Sequence, residues 1–117
     1  MNDTMIHRGD IFYAQLTGDG SIQYGLRPVI IVSNEKNNQH STTVNIIPLT
    51  SKLMKKNLPV HVHIHPTEET GLSKRSVAMA EQLTIINKST LRGKRGHVSN
   101  EVMAKIQNAM QIQLGII

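Results

Sequence analysis

The 117-residue chain has no cysteine and no tryptophan, and only three aromatic residues. Without cysteine, neither a disulfide nor a thiolate metal site can form. With Phe12, Tyr13 and Tyr24 as the only rings, a sheet face on which successive RNA bases stack, as in common RNA-binding domains, is not expected. No apolar run approaches the roughly 20 residues a membrane helix needs. The opening Met1-Asn2-Asp3-Thr4-Met5-Ile6-His7-Arg8 has no signal-peptide core, so the expected location is the cytoplasm. Acidic residues are also scarce. Thirteen Lys and Arg stand against eight Asp and Glu, a net charge of +5, which favours a polyanionic or acidic partner. With no repeat or low-complexity tract, residues 1–117 read as one domain, large enough to bury about two thirds of its unfolded surface.

What is present is organised around Gly25-Leu26-Arg27-Pro28-Val29-Ile30-Ile31-Val32-Ser33, a continuous β-branched run with one cation at its mouth. It reads as a buried strand. Pro28 suits the first position of a strand because it offers no N–H, and its ring pushes Arg27 into an extended conformation. Thr43-Val44-Asn45-Ile46-Ile47-Pro48-Leu49-Thr50-Ser51-Lys52 has the same plan reversed, delivering two hydroxyls and a lysine at its exit. If the two ends meet, Arg27, Thr50, Ser51 and Lys52 form a phosphate site. Lys55 and Lys56 extend the positive stretch.

Around these strands, Arg8-Gly9-Asp10 leads into a strand from Ile11 to Leu16, a strand-opening turn in spite of spelling an adhesion tripeptide. Thr17 to Leu26, with Gly18, Gly20 and Gly25, reads as a long mobile loop beside Arg27 that carries Ser21, Gln23 and Tyr24. Asn37 to His40 suggests a turn or a single helical turn. His61, His63 and His65 alternate on one face of a further strand. That face could ligate zinc, but no carboxylate or fourth histidine stands at a diagnostic spacing, so an exposed face is the expected reading and no metal or other cofactor is assigned. Ser76 to Ala80 and Leu83 to Asn87 read as strands around the polar pair Glu81-Gln82. Arg92, Lys94 and Arg95 form a second basic cluster. From Ser99 a helix runs toward Gly115, with Met103, Ile106, Met110, Leu114 and Ile117 on its core stripe and Ile112 opposite, a candidate interface residue. The expected architecture is mainly β with a C-terminal α-helix, a small barrel of short strands.

Two readings of the Arg27 and Thr50 ends remain open on the residues alone. Either Arg27 pairs with a carboxylate and Thr50 merely ends a strand, or the guanidinium grips phosphate oxygens in its planar fork while the hydroxyls donate to them. Tyr24 could then stack on a base. No general base is evident; His61, Glu81 and the substrate itself are the options.

Several motifs in order decide which family the chain resembles: Arg8-Gly9-Asp10-Ile11, Gly25-Leu26-Arg27-Pro28-Val29, Pro48-Leu49-Thr50-Ser51-Lys52, Leu58-Pro59-Val60-His61-Val62, Ser76-Val77 through Glu81-Gln82, Gly96-His97-Val98-Ser99 and Gln113-Leu114-Gly115. Over nearly its whole length the chain resembles the MazF/PemK family of toxin endoribonucleases, the mRNA interferases of type II toxin-antitoxin systems. The resemblance implies an SH3-like antiparallel β-barrel of the CcdB/PemK type with a C-terminal helix, acting as a homodimer. It also implies metal-independent, sequence-specific cleavage of single-stranded RNA (mRNA), leaving 2′,3′-cyclic phosphate and 5′-hydroxyl ends, with a cognate antitoxin that carries an acidic disordered segment. Its catalytic pair falls at Arg27 and Thr50, and its RNA-binding loop serine and late glutamine fall at Ser21 and Gln82. Where the family loop often reads Ser-Glu-Gln-Gly-Gly, this chain has Ser21-Ile22-Gln23-Tyr24-Gly25, which removes an acid and one glycine. The competing readings are a gyrase poison of the CcdB type, which resemblance to that group would mark with a C-terminal tryptophan absent here, and a non-catalytic nucleic-acid-binding barrel.

Overall fold

The computed structural model describes residues 5–52 and 57–117. Its elements, in chain order, are β1 (Asp10–Thr17), β2 (Tyr24–Ile31), α1 (Glu35–His40), β3 (Thr43–Thr50), β4 (His61–Ile64), β5 (Ser76–Met79), β6 (Thr84–Asn87), β7 (Leu91–His97) and α2 (Asn100–Gln113). The strands form one antiparallel sheet in the order β4-β5-β3-β2-β1-β7, with β6 also paired to β3. This is the expected mainly β fold with a C-terminal helix. Among the described residues the sheet does not close into a ring: β4, β6 and β7 each pair with a single neighbour.

The uninterrupted apolar runs of β2 and β3 follow from burial on both faces of the sheet. Alternate residues project to opposite sides. Ile11, Ile30, Ile47 and Leu49 join one core with Val62, Ile64 and the helix residues Met103, Ile106 and Ala109. Phe12, Val29, Ile31, Val44 and Ile46 join a second, with Ile86 and Leu91 packed against it. A strand covered on both faces has no position at which a polar residue is tolerated, so the period-two alternation disappears.

β3 is the hub, pairing with β6 through Thr43–Ile46, with β2 through Ile46–Pro48, and with β5 through Leu49–Thr50. Between the β5 and β6 ladders the register along β3 slips by three residues. Those three are Ala80, Glu81 and Gln82, which bulge out as a 3-10 turn opposite Ile47 and Pro48.

Several sequence expectations change in the folded chain. The loop from Thr17 to Leu26 is shorter: β1 and β2 stay in register as far as Thr17 opposite Tyr24, leaving a six-residue hairpin connection. Within it, Gly18 N–H donates to Gln23 O and Ile22 N–H to Asp19 O. Pro28 lies inside β2 and not at its start; the ladder to β1 passes through it, opposite Tyr13. The basic cluster of Arg92, Lys94 and Arg95 lies on a strand, β7. It pairs on one side alone, with β1, so its charges stay in solvent and no apolar alternation marks it. Leu114 and Ile117 are 59% and 67% exposed and not on the core stripe, because α2 ends at Gln113, and Ile112 is half-buried. The Arg8-Gly9-Asp10 turn is structural. Gly9 takes a φ of 96°, and the buried Asp10 carboxylate accepts from His7 N–H and pairs with Lys94 at 3.3 Å.

The start of α2 is set locally. Ser99 is the N-cap, its hydroxyl accepting from Val102 N–H at 3.2 Å. Replacing it by alanine is expected to cost about 1 kcal/mol, read as a lower urea midpoint with an unchanged slope.

Candidate active site

The β2-β3 ladder ends two residues short of Arg27 and Thr50. Val29 faces Pro48, Ile30 faces Ile47 and Ile31 faces Ile46. Continued by two residues, the same register sets Arg27 opposite Thr50. The ladder is not formed that far, since Pro28 and Pro48 offer no N–H. Arg27 and Thr50 both fall, by alternation, on the face that carries Val29, Ile31, Val44 and Ile46.

Each side chain is oriented by a nearby backbone group. Arg27 Nε donates to Tyr24 O at 3.0 Å, and its guanidinium carbon lies 6.0 Å from the Tyr24 ring centroid, at the edge of cation-π range. Tyr24 is therefore in place beside Arg27, with its ring exposed. No carboxylate pairs with Arg27 among the described residues, which removes the ordinary structural reason for an arginine here. Among the described residues its terminal nitrogens have no hydrogen-bond partner. Thr50 is 8% exposed, and its hydroxyl accepts from Lys52 N–H at 3.2 Å. That bond leaves the hydroxyl hydrogen to donate elsewhere. Ser51 and Lys52 follow at the exposed strand exit; Lys55 and Lys56 lie outside the described residues.

Beyond Pro48 the bulged turn forms one wall of a cleft of about 250 Å³, lined by Ser21, Ile22, Gln23, Pro48, Glu81, Gln82, Leu83 and Thr84. Gln82 clamps the hairpin: its Nε2 donates to Ser21 O at 2.6 Å, and its Oε1 accepts from Gln23 N–H at 3.1 Å. So Ser21, Gln23 and Gln82, drawn from two distant segments, do meet. Their bonds run through the loop backbone, which leaves the Ser21 hydroxyl exposed. The carboxylate of Glu81 is met from behind by His61 Nε2 at 2.7 Å.

His61 departs from the exposed strand face expected of it. Its side chain is 6% exposed, and Nδ1 is buried with no hydrogen-bond partner among the described residues. A lone buried acceptor of this kind costs about 1–3 kcal/mol. In this arrangement Nε2 is engaged by Glu81 and Nδ1 is enclosed. Sequence reasoning singled out His61 and Glu81 separately and missed the contact, since twenty residues separate them and only the β4-β5 ladder makes them neighbours. His63 takes other partners, with Asn57 Oδ1 3.2 Å from its Nε2. Among the described residues no three His, Asp or Glu side chains gather in a cluster able to hold a metal.

From residue 7 to residue 114 the sequence matches the family model described as "PemK-like, MazF-like toxin of type II toxin-antitoxin system". The chain belongs to that family. A curated relative, Endoribonuclease MazF of Staphylococcus saprophyticus, is 36% identical over 113 residues, covering 96% of this chain and 93% of the relative. Among solved structures, an endoribonuclease in complex with its cognate antitoxin from a mycobacterial species is 27% identical, with a TM-score of 0.72 over 96% of this chain and 95% of that one. MazF from Deinococcus radiodurans superposes with a TM-score of 0.81 over 97% of this chain and 99% of that one; at 23% identity it supports the fold.

Proposed function

We propose that this chain is the toxin of a type II toxin-antitoxin pair and an endoribonuclease that cuts single-stranded RNA through Arg27 and Thr50, without a metal ion. The observation that carries this reading is an arginine with no carboxylate partner among the described residues, on the same sheet face and in the same register as a threonine hydroxyl able to donate. RNA brings its own nucleophile, so the protein has to position the phosphate and stabilise the negative charge that builds on it. The 2′-oxygen attacks the adjacent phosphorus and gives up its proton, the bond from phosphorus to the 5′-oxygen breaks, and that oxygen takes a proton. A 2′,3′-cyclic phosphate and a 5′-hydroxyl result. Arg27 holds two non-bridging oxygens, Thr50 donates to one of them, and Ser51, Lys52, Lys55 and Lys56 carry the flanking phosphates. Tyr24 stacks on a base, while Ser21, Gln23, Glu81 and Gln82 line the path of the chain.

The same basic surface suits an acidic antitoxin segment that folds on binding and occupies the RNA path. The mycobacterial relative solved with its cognate antitoxin supports such a partner. A homodimer would pair two such surfaces, and the exposed Leu114, Ile116 and Ile117 supply apolar area for contact.

Incubating the purified chain with a long single-stranded RNA in excess chelator is expected to give discrete fragments ending in cyclic phosphate. Activity that vanishes in chelator and returns with a divalent ion would overturn the metal-independent reading, and intact RNA under all conditions would overturn the enzyme.

A further inference from the structure

The contact between His61 and Glu81 ties a residue that lines the cleft to β4. β4 and β5 are paired with His61 opposite Met79, and Ala80 N–H donates to Val60 O at 2.9 Å, so the bulged turn is tied to β4 through backbone. His61 adds a side-chain tie at the next residue. A carboxylate only accepts, so His61 Nε2 carries the hydrogen and Glu81 Oε2 receives it at 2.7 Å. Glu81 also lines the cleft, and its other carboxylate oxygen has no hydrogen-bond partner among the described residues. Gln82, the next residue, is held from the opposite side by the hairpin backbone. Both polar residues of the turn are thus pinned before any ligand arrives.

Packing alone does not account for the histidine. A phenylalanine or leucine would fill the same position on β4 without leaving a ring nitrogen buried and without a partner among the described residues. What those residues would lack is the Nε2 donor. We infer that His61 is a positioning residue that fixes Glu81 as an acceptor in the cleft, and that Glu81 there selects a nucleotide whose base edge presents an amino group. Adenine, cytosine and guanine carry such a group; uracil offers one N–H between two carbonyl oxygens that a carboxylate repels. Holding the glutamate in one rotamer lets the contact discriminate, because the side chain does not have to be ordered when the base arrives. This inference rests on the reading of the chain as an RNA-cutting enzyme.

The test compares wild type with His61→Gln, His61→Phe and Glu81→Gln on a random-sequence RNA pool whose cut ends are sequenced, followed by kcat and KM on the preferred oligonucleotide. His61→Phe is expected to relax the preference at one position of the map by about tenfold, within the range that one base-edge contact discriminates, and to raise KM more than it lowers kcat. His61→Gln, whose amide can place a donor near the same point, should retain the wild-type map. Glu81→Gln, which can donate as well as accept, should shift the preference at that same position toward a base with a carbonyl there. A wild-type map in His61→Phe overturns the inference. So does loss of map and stability together in both His61 variants, the pattern of a packing role. Should His61→Phe fail to fold, an unaltered map in Glu81→Gln overturns it equally. If the wild-type chain cuts no RNA, the enzyme reading has failed; if it cuts and every variant shares its map, only this inference has.

Discussion

Arg27→Ala is expected to slow RNA cleavage by about a hundred- to a thousandfold, the loss that follows removal of one preorganised charge donor, equivalent to about 3–4 kcal/mol of transition-state stabilisation. The loss should fall on kcat, because the charge it neutralises is largest in the transition state. Folding should be untouched. The side chain is only half-buried, its one bond within the described residues goes to the Tyr24 carbonyl three positions away, and no ion pair there depends on it. Lysine at the same position should recover little: it restores the charge but not the planar fork that can hold two phosphate oxygens at once. The measurement is single-turnover cleavage of an end-labelled RNA alongside a urea unfolding curve. An alanine variant that cuts at near the wild-type rate would move the chemistry away from the β2 and β3 ends.

Gly71→Ala is expected to have the largest effect on stability, about 2–6 kcal/mol, combining the strain of a left-handed residue with overpacking. Gly71 has a φ of 67°, and a Cβ there would run into the backbone carbonyl of Arg95 on β7. Room to yield is lacking, since Arg95 donates to Gly71 O at 2.8 Å and His97 N–H to Glu69 O at 2.9 Å, which knits the turn before β5 onto the edge strand. Gly20 is the control. It too is left-handed, with a φ of 58°, but nothing lies within 4 Å of the added carbon. Gly20→Ala should cost only the conformational part, about 1 kcal/mol at the low end of that strain. Urea denaturation of the two variants separates the effects, and equal costs would show that the close approach to β7 contributes nothing. Because net stability is typically only about 5–15 kcal/mol, Gly71→Ala could leave much of the protein unfolded at 37 °C.

The elements read most directly from sequence are those whose neighbours are local. The cap of α2 by Ser99 involves groups three residues apart. The β2 and β3 runs were recognisable because burial on both faces leaves nothing but apolar residues. β7 was not recognisable, since an edge strand with solvent on its free side can be Arg-Gly-Lys-Arg and still pair. Leu114 and Ile117 keep helical spacing with Met103 and Ile106, but periodicity does not say where the core beneath a helix ends.

For the candidate site, the sequence by itself determined which residues are on offer: an arginine before a proline, a threonine at the exit of an apolar strand, a basic composition, and an ordered set of motifs sufficient to point to the family. Those properties belong to single residues and their immediate neighbours. Tertiary structure alone decided which groups meet. The β2-β3 register, carried on by two residues past its last pair, sets Arg27 opposite Thr50, the three-residue slip along β3 places Glu81 and Gln82 in a turn beside Pro48, and the β4-β5 ladder makes His61 a neighbour of Glu81. Pairing between strands far apart in the chain follows from how two cores are filled at once, and no local pattern records it.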